Sequence, residues 1–333
     1  MKPVKSKRGQ AGILVISFVM LVALFFVSIN LGSLKVSFPQ LFHGLFISYD
    51  ETVAAIYDLR FPRILIAMMA GAALSVSGVL FQAVLKNPLA DPGIIGISSG
   101  ASFAAVLVTM FLPQFYFFTP LLACLGGILA CVIVYTLSWK SGLSAIRMIL
   151  VGVAVNAMFT GLMEGINAMS GGNATGAAAI VNANISMKTW EDVRMLFVYV
   201  IIGLLGALLL SYSCNLLALE DKTAQSLGIH VNRSRILISI VAVLLASITT
   251  ALAGVISFLA LIVPHIARLL VGSDHKILLP FSMLLGAIVL LAADTAGRIL
   301  AAPYEISASI LMAVIGGPIF ILLLKRSTST YGS

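Results

Sequence analysis

DLRFPRILIAMMAGAALSVSGVLFQAVL, residues 58–85, sets Arg60 and Arg63 around Pro62 and then runs apolar from Ile64 to Leu85. That length suits a helix crossing the hydrocarbon core, which takes roughly 20 residues. Pro62 is expected to open the span at its first helical position, where a missing N–H costs nothing, and so to fix the angle between the two arginines. Two charges at the mouth of an apolar span then need a topological or a binding reason.

The rest of the chain repeats the pattern. Of 333 residues, 60% are hydrophobic and only 10% charged, with a mean hydropathy of +1.12, against about 25% charged in soluble domains. The sequence predicts an all-α polytopic membrane bundle. Apolar segments fall at 11–31, 64–85, 93–112, 118–138, 147–168, 193–214, 236–253, 255–272, 277–297 and 307–324. No charge divides 236–272 before Arg268, yet one helix of that length would be about 50 Å long against a core of about 30 Å. A turn at Ala253 and Gly254 is expected instead, which makes ten transmembrane helices. The apolar run after MKPVKSKRGQAG is span-length without a small-x-small cleavage site, so it reads as an uncleaved first span.

The 20 Lys and Arg against 12 Asp and Glu give +8. In this class such an excess marks cytoplasmic loops facing anionic lipid, not nucleic acid. Threading ten spans from a cytoplasmic N-terminus returns the C-terminus to the cytoplasm. It places Lys2, Lys5, Lys7, Arg8, Lys86, Lys140, Arg147, Lys222, Arg233, Arg235, Arg268, Lys276, Lys325 and Arg326 inside. Lys35, Arg60, Arg63, Lys188, Arg194 and Arg298 lie outside, against the bias, and an acidic partner would explain them. The chain reads as one transmembrane domain, 1–333. It comprises a tail 1–10, a bundle 11–324 with a cytoplasmic segment 214–235, and a tail 325–333.

Small residues recur four apart as Ala67, Gly71 and Ser75 and as Gly96, Gly100 and Ala104. Such stripes let helices approach closely in lipid; lining a translocation path is the alternative. KNPLADPGIIGISSGAS, residues 86–102, is denser in breakers than a loop requires, and irregular backbone at membrane depth survives only when buried in protein or facing a water-filled cavity. Ser75, Ser98, Ser99, Asn156 and Glu164 are the candidate pathway residues.

Catalysis is not expected. His43, His230, His265 and His275 make no HExxH pair, no nucleophile elbow is read, and no carboxylates pair within one span. Glu164 and Asp294, the acids placed within spans, fall toward outer ends, whereas an ion-coupled carrier favours groups near the midplane. A stand-alone secondary carrier is therefore a rival rather than the first reading. Cys124, Cys131 and Cys214 lack CxxC spacing, so neither a disulfide framework nor a metal site is expected. No GxxxxGK[ST] is present, so any ATPase must be another chain.

LALEDKTAQSLGIHVNRSR, residues 217–235, is the longest internal hydrophilic stretch. Glu220 and Asp221 early and Gly228 late suit a short capped helix, with Leu219, Thr223 and Leu227 giving one less polar edge. It could rest on headgroups or take a push from a soluble motor.

Four stretches together, 59–102, LALEDKTAQSLG (217–228), 254–298 with its PHIAR, and GGPIFILLL (316–324), resemble the FecCD-type permeases of ABC importers for ferric siderophores, haem and cobalamin. The resemblance runs from about residue 11 to 326. It implies a ten-span subunit in the cell membrane, paired with a second permease subunit, identical or paralogous. A cytoplasmic ATPase dimer would lie below and an extracytoplasmic binding protein above, and no cofactor is expected. Arg60, Arg63 and Arg298 match outer arginines that meet acidic residues of the binding protein. Glu220, Asp221, Ala224, Leu227 and Gly228 match the element that docks on the ATPase, although the sequence departs from the common LGEETA form there. Pro264 would distort a short span, Arg268 would anchor its inner end, and His265 is expected to be structural. Alternating access moving ferric siderophore is expected, with cobalamin or haem as alternatives.

Overall fold

The computed structural model describes residues 7–31, 36–138, 145–169, 185–300 and 304–331. Lys2, Lys5, Lys35 and Lys140 lie outside the described residues. Among these described residues thirteen α-helices follow in order: α1 Lys7–Asn30, α2 Phe38–Phe46, α3 Glu51–Val84, α4 Ile97–Phe111, α5 Thr119–Ser138, α6 Ala145–Met169, α7 Trp190–Leu209, α8 Ser211–Leu217, α9 Asp221–Ser226, α10 Val231–Ala253, α11 Leu259–Val271, α12 His275–Leu300 and α13 Ala308–Tyr331. No strand occurs among the described residues.

Among those residues, seven helices are long and apolar enough to cross a membrane: α1, α3, α5, α6, α7, α10 and α12. The three remaining apolar segments appear as shorter apolar helices, Ile97–Phe111, Leu259–Val271 and Ala308–Leu322. The expected turn is present, since α10 stops at Ala253 and Gly254 takes φ +79°. Toward the C-terminus α13 runs from Ala308 to Tyr331, with Pro318 inside it, and so continues as helix into the segment 325–331.

Pro62 does not start a helix. Asp50 caps α3, its side chain accepting from the Thr52 and Val53 amides, with Glu51 in the first turn. A carboxylate cap and an acid at the positive end of the helix set the start eleven residues earlier than Pro62. The proline therefore sits inside a 34-residue helix, with Arg60 and Arg63 three apart on neighbouring positions of one surface.

Of the long helices, α3 is the most enclosed and α1 and α6 the least. It packs against α7, α10, α11 and α12. Close approach is by glycine: a Cβ on Gly71 would overlap the Gly286 carbonyl oxygen of α12, and one on Gly78 would overlap the Ala260 carbonyl of α11. The Ala67, Gly71, Ser75 stripe is thus a packing surface. The Gly100 stripe does the same between α4 and α5, where a Cβ would stand 2.7 Å from the Gly126 oxygen. Ser77 adds a polar tie, its hydroxyl donating to Ala242 O of α10 at 2.7 Å.

Polar groups collect at the two ends of the bundle. At one end Gln10 donates to Val271 O, Arg268 to Gln82, and Asn215 to Asp274. At the other Arg60 donates to Ile29 O, Arg298 to Ser28, and Trp190 Nε1 to Tyr57 O. Arg60, Arg63 and Arg298 fall together, away from Lys86, Arg235 and Arg268, as the charge count grouped them.

Candidate functional site

Three features carry chemistry. The first is a cavity of about 540 Å³ where the 86–96 break meets α6 and the 254–258 turn. Its walls include Asp91, Ser98, Ser99, Asn156, Thr160 and Phe258. The break is built by local bonds: Leu89 N donates to Asn87 Oδ1, and Gly93 N and Ile94 N donate to Asp91 Oδ1. Gly96, at φ +85°, then starts α4, and Ser99 Oγ donates back to Gly96 O. Burial pushes the Asp91 carboxyl up to about 6, although its two backbone bonds pull it down. The cavity gathers Ser98, Ser99 and Asn156. It does not gather Ser75, which is fully buried against Gly286 in the α3–α12 contact, nor Glu164, which is exposed along α6. Ser75 instead lies where α3 and α12 approach each other closely.

Residues 96–100, Gly-Ile-Ser-Ser-Gly, do spell GxSxG. The motif opens α4 from a coil with no strand before it, and the cavity lining holds no histidine, so the nucleophile elbow is absent in substance. Groups of three or more metal-binding side chains are absent among the described residues.

The second feature is α9 and its caps. Glu220 is the N-cap, Gly228 takes φ +87°, and Ala224 is fully buried. Leu227 is 56% exposed and Leu219 39%, so the less polar edge faces outward. Asp221 Oδ1 accepts from both Lys86 Nζ and Arg235 Nη2, and Lys86 Nζ also donates to Leu219 O. The hydrogen bond from Lys86, with the Arg235 charge beside it, holds the Asp221 carboxyl below its ordinary range. Lys86 itself sits at φ +50°, a left-handed conformation unusual for a residue with a side chain.

The third feature separates the three arginines that the sequence grouped. Arg60 is half-buried, with its guanidinium on Ile29 O. Arg298 reaches Ser28 and Asp294. Arg63 is buried and doubly paired: Nε donates to both Asp294 oxygens at 3.0 Å, and Nη1 donates to Glu305 Oε2 at 2.8 Å. Glu305 also accepts from Ser186 Oγ at 2.7 Å. Burial pushes the Glu305 carboxyl up, but the Arg63 and Ser186 bonds outweigh it and hold it below the usual range. Glu305 went unread in the sequence. Its signal was charge complementarity, one acid in the short segment after the helix bearing Arg298.

A bundle of apolar helices around a polar-floored cavity, with charged clusters at opposite ends, defines a multi-pass membrane transport protein. The chain belongs to the FecCD transport family, which matches residues 20–326, and it is an ABC importer permease of the cell membrane. It is 43% identical over 309 residues to the "Probable heme-iron transport system permease protein IsdF" of Staphylococcus aureus strain Newman, covering 93% of this chain and 94% of that protein. The same protein from strain MSSA476 is 42% identical over the same coverage. Among solved structures, one described as a metal-chelate type ABC transporter in an inward-facing conformation is similar at TM-score 0.82 and 31% identity, covering 95% of this chain and 99% of that chain. PsaBC from Streptococcus pneumoniae shares the fold at TM-score 0.56 and 16% identity, covering 86% and 95%.

Proposed function

We propose that the chain imports haem iron as one of two permease subunits. It would do so by alternating access, powered by a cytoplasmic ATPase dimer and loaded by an extracytoplasmic binding protein. The observation that carries the substrate is the 43% identity, over almost the whole chain, to relatives named for heme-iron transport. Ferric siderophore is the second reading, favoured by the likeness to a chain described as metal-chelate type. Ten spans with both termini cytoplasmic fit the seven long and three short apolar helices. In that orientation α9 and Lys86 face the ATPases, and Arg60, Arg63 and Arg298 face the binding protein.

In this reading ATP-driven closure of the motor displaces α9, and with it the 86–96 break that lines one side of the cavity. The lining supports passage over capture, because it offers hydroxyl, amide and apolar groups with Asp91 as its one charge. A strong site at that depth would trap the cargo. Charge complementarity at this face would steer and register the partner more than hold it.

Reconstitution in proteoliposomes with candidate ATPases and binding proteins, loaded with haem or with ferric siderophore, tests the proposal. Haem-stimulated ATP hydrolysis is expected. Stimulation by siderophore alone would transfer the reading to that substrate, and ion-gradient transport by the chain without partners would sink the ABC mechanism.

A further inference from the structure

The two acids that hold Arg63 differ in access. The Asp294 side chain is 2% exposed and takes the guanidinium on Nε and Nη2, whereas the Glu305 side chain is 45% exposed and takes Nη1 alone. Asp294 stands on α12, shared with Arg298 at 3.5 Å. Glu305 stands on the short segment before α13, pinned by Ser186 from the segment before α7. A buried cation cannot be left without a partner, since an uncompensated buried charge costs several kcal/mol. That makes Asp294 a fixed partner. A half-exposed carboxylate is different: exchanging it for another carboxylate leaves the guanidinium fork satisfied throughout.

We propose that Glu305 is a built-in stand-in for an acidic side chain of the protein that docks on this face. In the undocked chain Glu305 fills the outward arm of Arg63. On docking, the partner's carboxylate replaces it and the 304–307 segment is let go from Arg63 and Ser186. The inference rests on the docking reading given above and adds the residue against which the partner competes. Arg63 then serves docking without ever being open to solvent, which reconciles its burial with its place among the outer arginines. An internal competitor also lowers apparent affinity by the fraction of time it occupies the fork. Encounters with too few acids in register therefore fail to dislodge it.

The test uses the full importer in nanodiscs and, as probe, the binding protein selected by the reconstitution above, with affinity read by biolayer interferometry at low salt. Glu305→Gln and Glu305→Ala are expected to tighten docking about two- to five-fold, the size expected of one partly exposed pair. Ser186→Ala is expected to move affinity the same way by less. Basal ATPase activity and a monodisperse elution profile show that each variant is folded, and the isosteric Gln variant carries the conclusion should the Ala variant fail that check. Unchanged or weaker docking by folded Glu305→Gln, while Arg60→Glu and Arg298→Glu still weaken it, overturns the stand-in alone. Docking indifferent to Arg60→Glu and Arg298→Glu as well overturns the docking reading beneath it.

Discussion

Lys86 Nζ and Asp221 Oδ1 stand 3.0 Å apart although 135 residues separate them, and Arg235 meets the same oxygen at 3.0 Å. The bond joins α9 to the first residues of the break that lines the cavity. Asp221→Asn or Lys86→Met should lower substrate moved per ATP hydrolysed by about two- to five-fold while basal hydrolysis persists, since part-exposed pairs are individually weak. Paired transport and phosphate-release assays check this, and wild-type stoichiometry in both variants would refute it. The sign of the pH effect follows from the lowered Asp221 carboxyl. Its contribution is present above the unfolded value near 4 and is lost only as pH falls through the lower folded value. Coupling should therefore be flat between pH 5 and 8 as far as this bond is concerned.

Leu227 is the exposed apolar point of α9, and Gly228 closes the helix at φ +87° with nothing within 4 Å of where a Cβ would be. Leu227→Asp should abolish substrate-stimulated hydrolysis without changing thermal unfolding. Gly228→Ala meets backbone strain of about 1 kcal/mol and no clash, so it should impair stimulation partially. Normal import by Leu227→Asp would show that the motor docks elsewhere.

Reversing the three arginines should give three different results. Arg63→Glu places a third acid beside Asp294 and Glu305 and leaves buried charge unpaired, a loss of about 3–5 kcal/mol. Fluorescence size-exclusion should show little folded protein. Arg60→Glu, starting from a half-buried side chain, should fold and dock weakly. Arg298→Glu, which loses the Ser28 contact and faces Asp294, should fall between them in yield.

Gly71 and Gly161 offer a matched pair. Gly71→Ala drives a methyl into the Gly286 carbonyl, whereas a Cβ on Gly161 meets nothing within 4 Å. The first should cost about 1–3 kcal/mol by overpacking. The second should be neutral or stabilise by up to about 1 kcal/mol through helix propensity. Thermal unfolding of the solubilised single chain separates them, and equal effects would contradict the α3–α12 contact.

Asp91 gives the other pH prediction. Burial raises its carboxyl to about 6, so the folded chain binds more protons than the unfolded chain between about pH 4 and 6. Stability from this group is full below pH 4 and is lost as pH rises through 6. Asp91→Asn retains an oxygen for the Gly93 and Ile94 amides, so that slope should flatten while the fold survives. An unchanged pH profile of unfolding would show that the carboxyl is solvated.

Segment existence was legible because lipid imposes one rule on every span: the helix must satisfy its own backbone and show apolar side chains. Ten apolar segments and the Ala253–Gly254 turn followed from it, whereas the short helix at 221–226 was legible from its early acids and the late Gly228. Helix starts were less legible. Pro62 looked like an initiator because the apolar run begins beside it, but Asp50 supplies the cap, so the helix starts eleven residues earlier and the buried proline falls inside it. The Arg63 partners lie 231 and 242 residues away, and no local pattern announces such a pairing. Ser75 was ambiguous for a related reason: a small polar residue suits a helix contact as well as a water path, and its place against Gly286 is set by a helix more than 200 residues away.

The length of α3 has one more consequence. Thirty-four residues at 1.5 Å each make a rod of about 51 Å, with Arg60 and Arg63 in its first half and Lys86 two residues past its far end. A single strut therefore spans from the binding-protein side of the proposed assembly to the motor side, with Pro62 as its built-in joint. In that assembly one continuous helix would link the two faces.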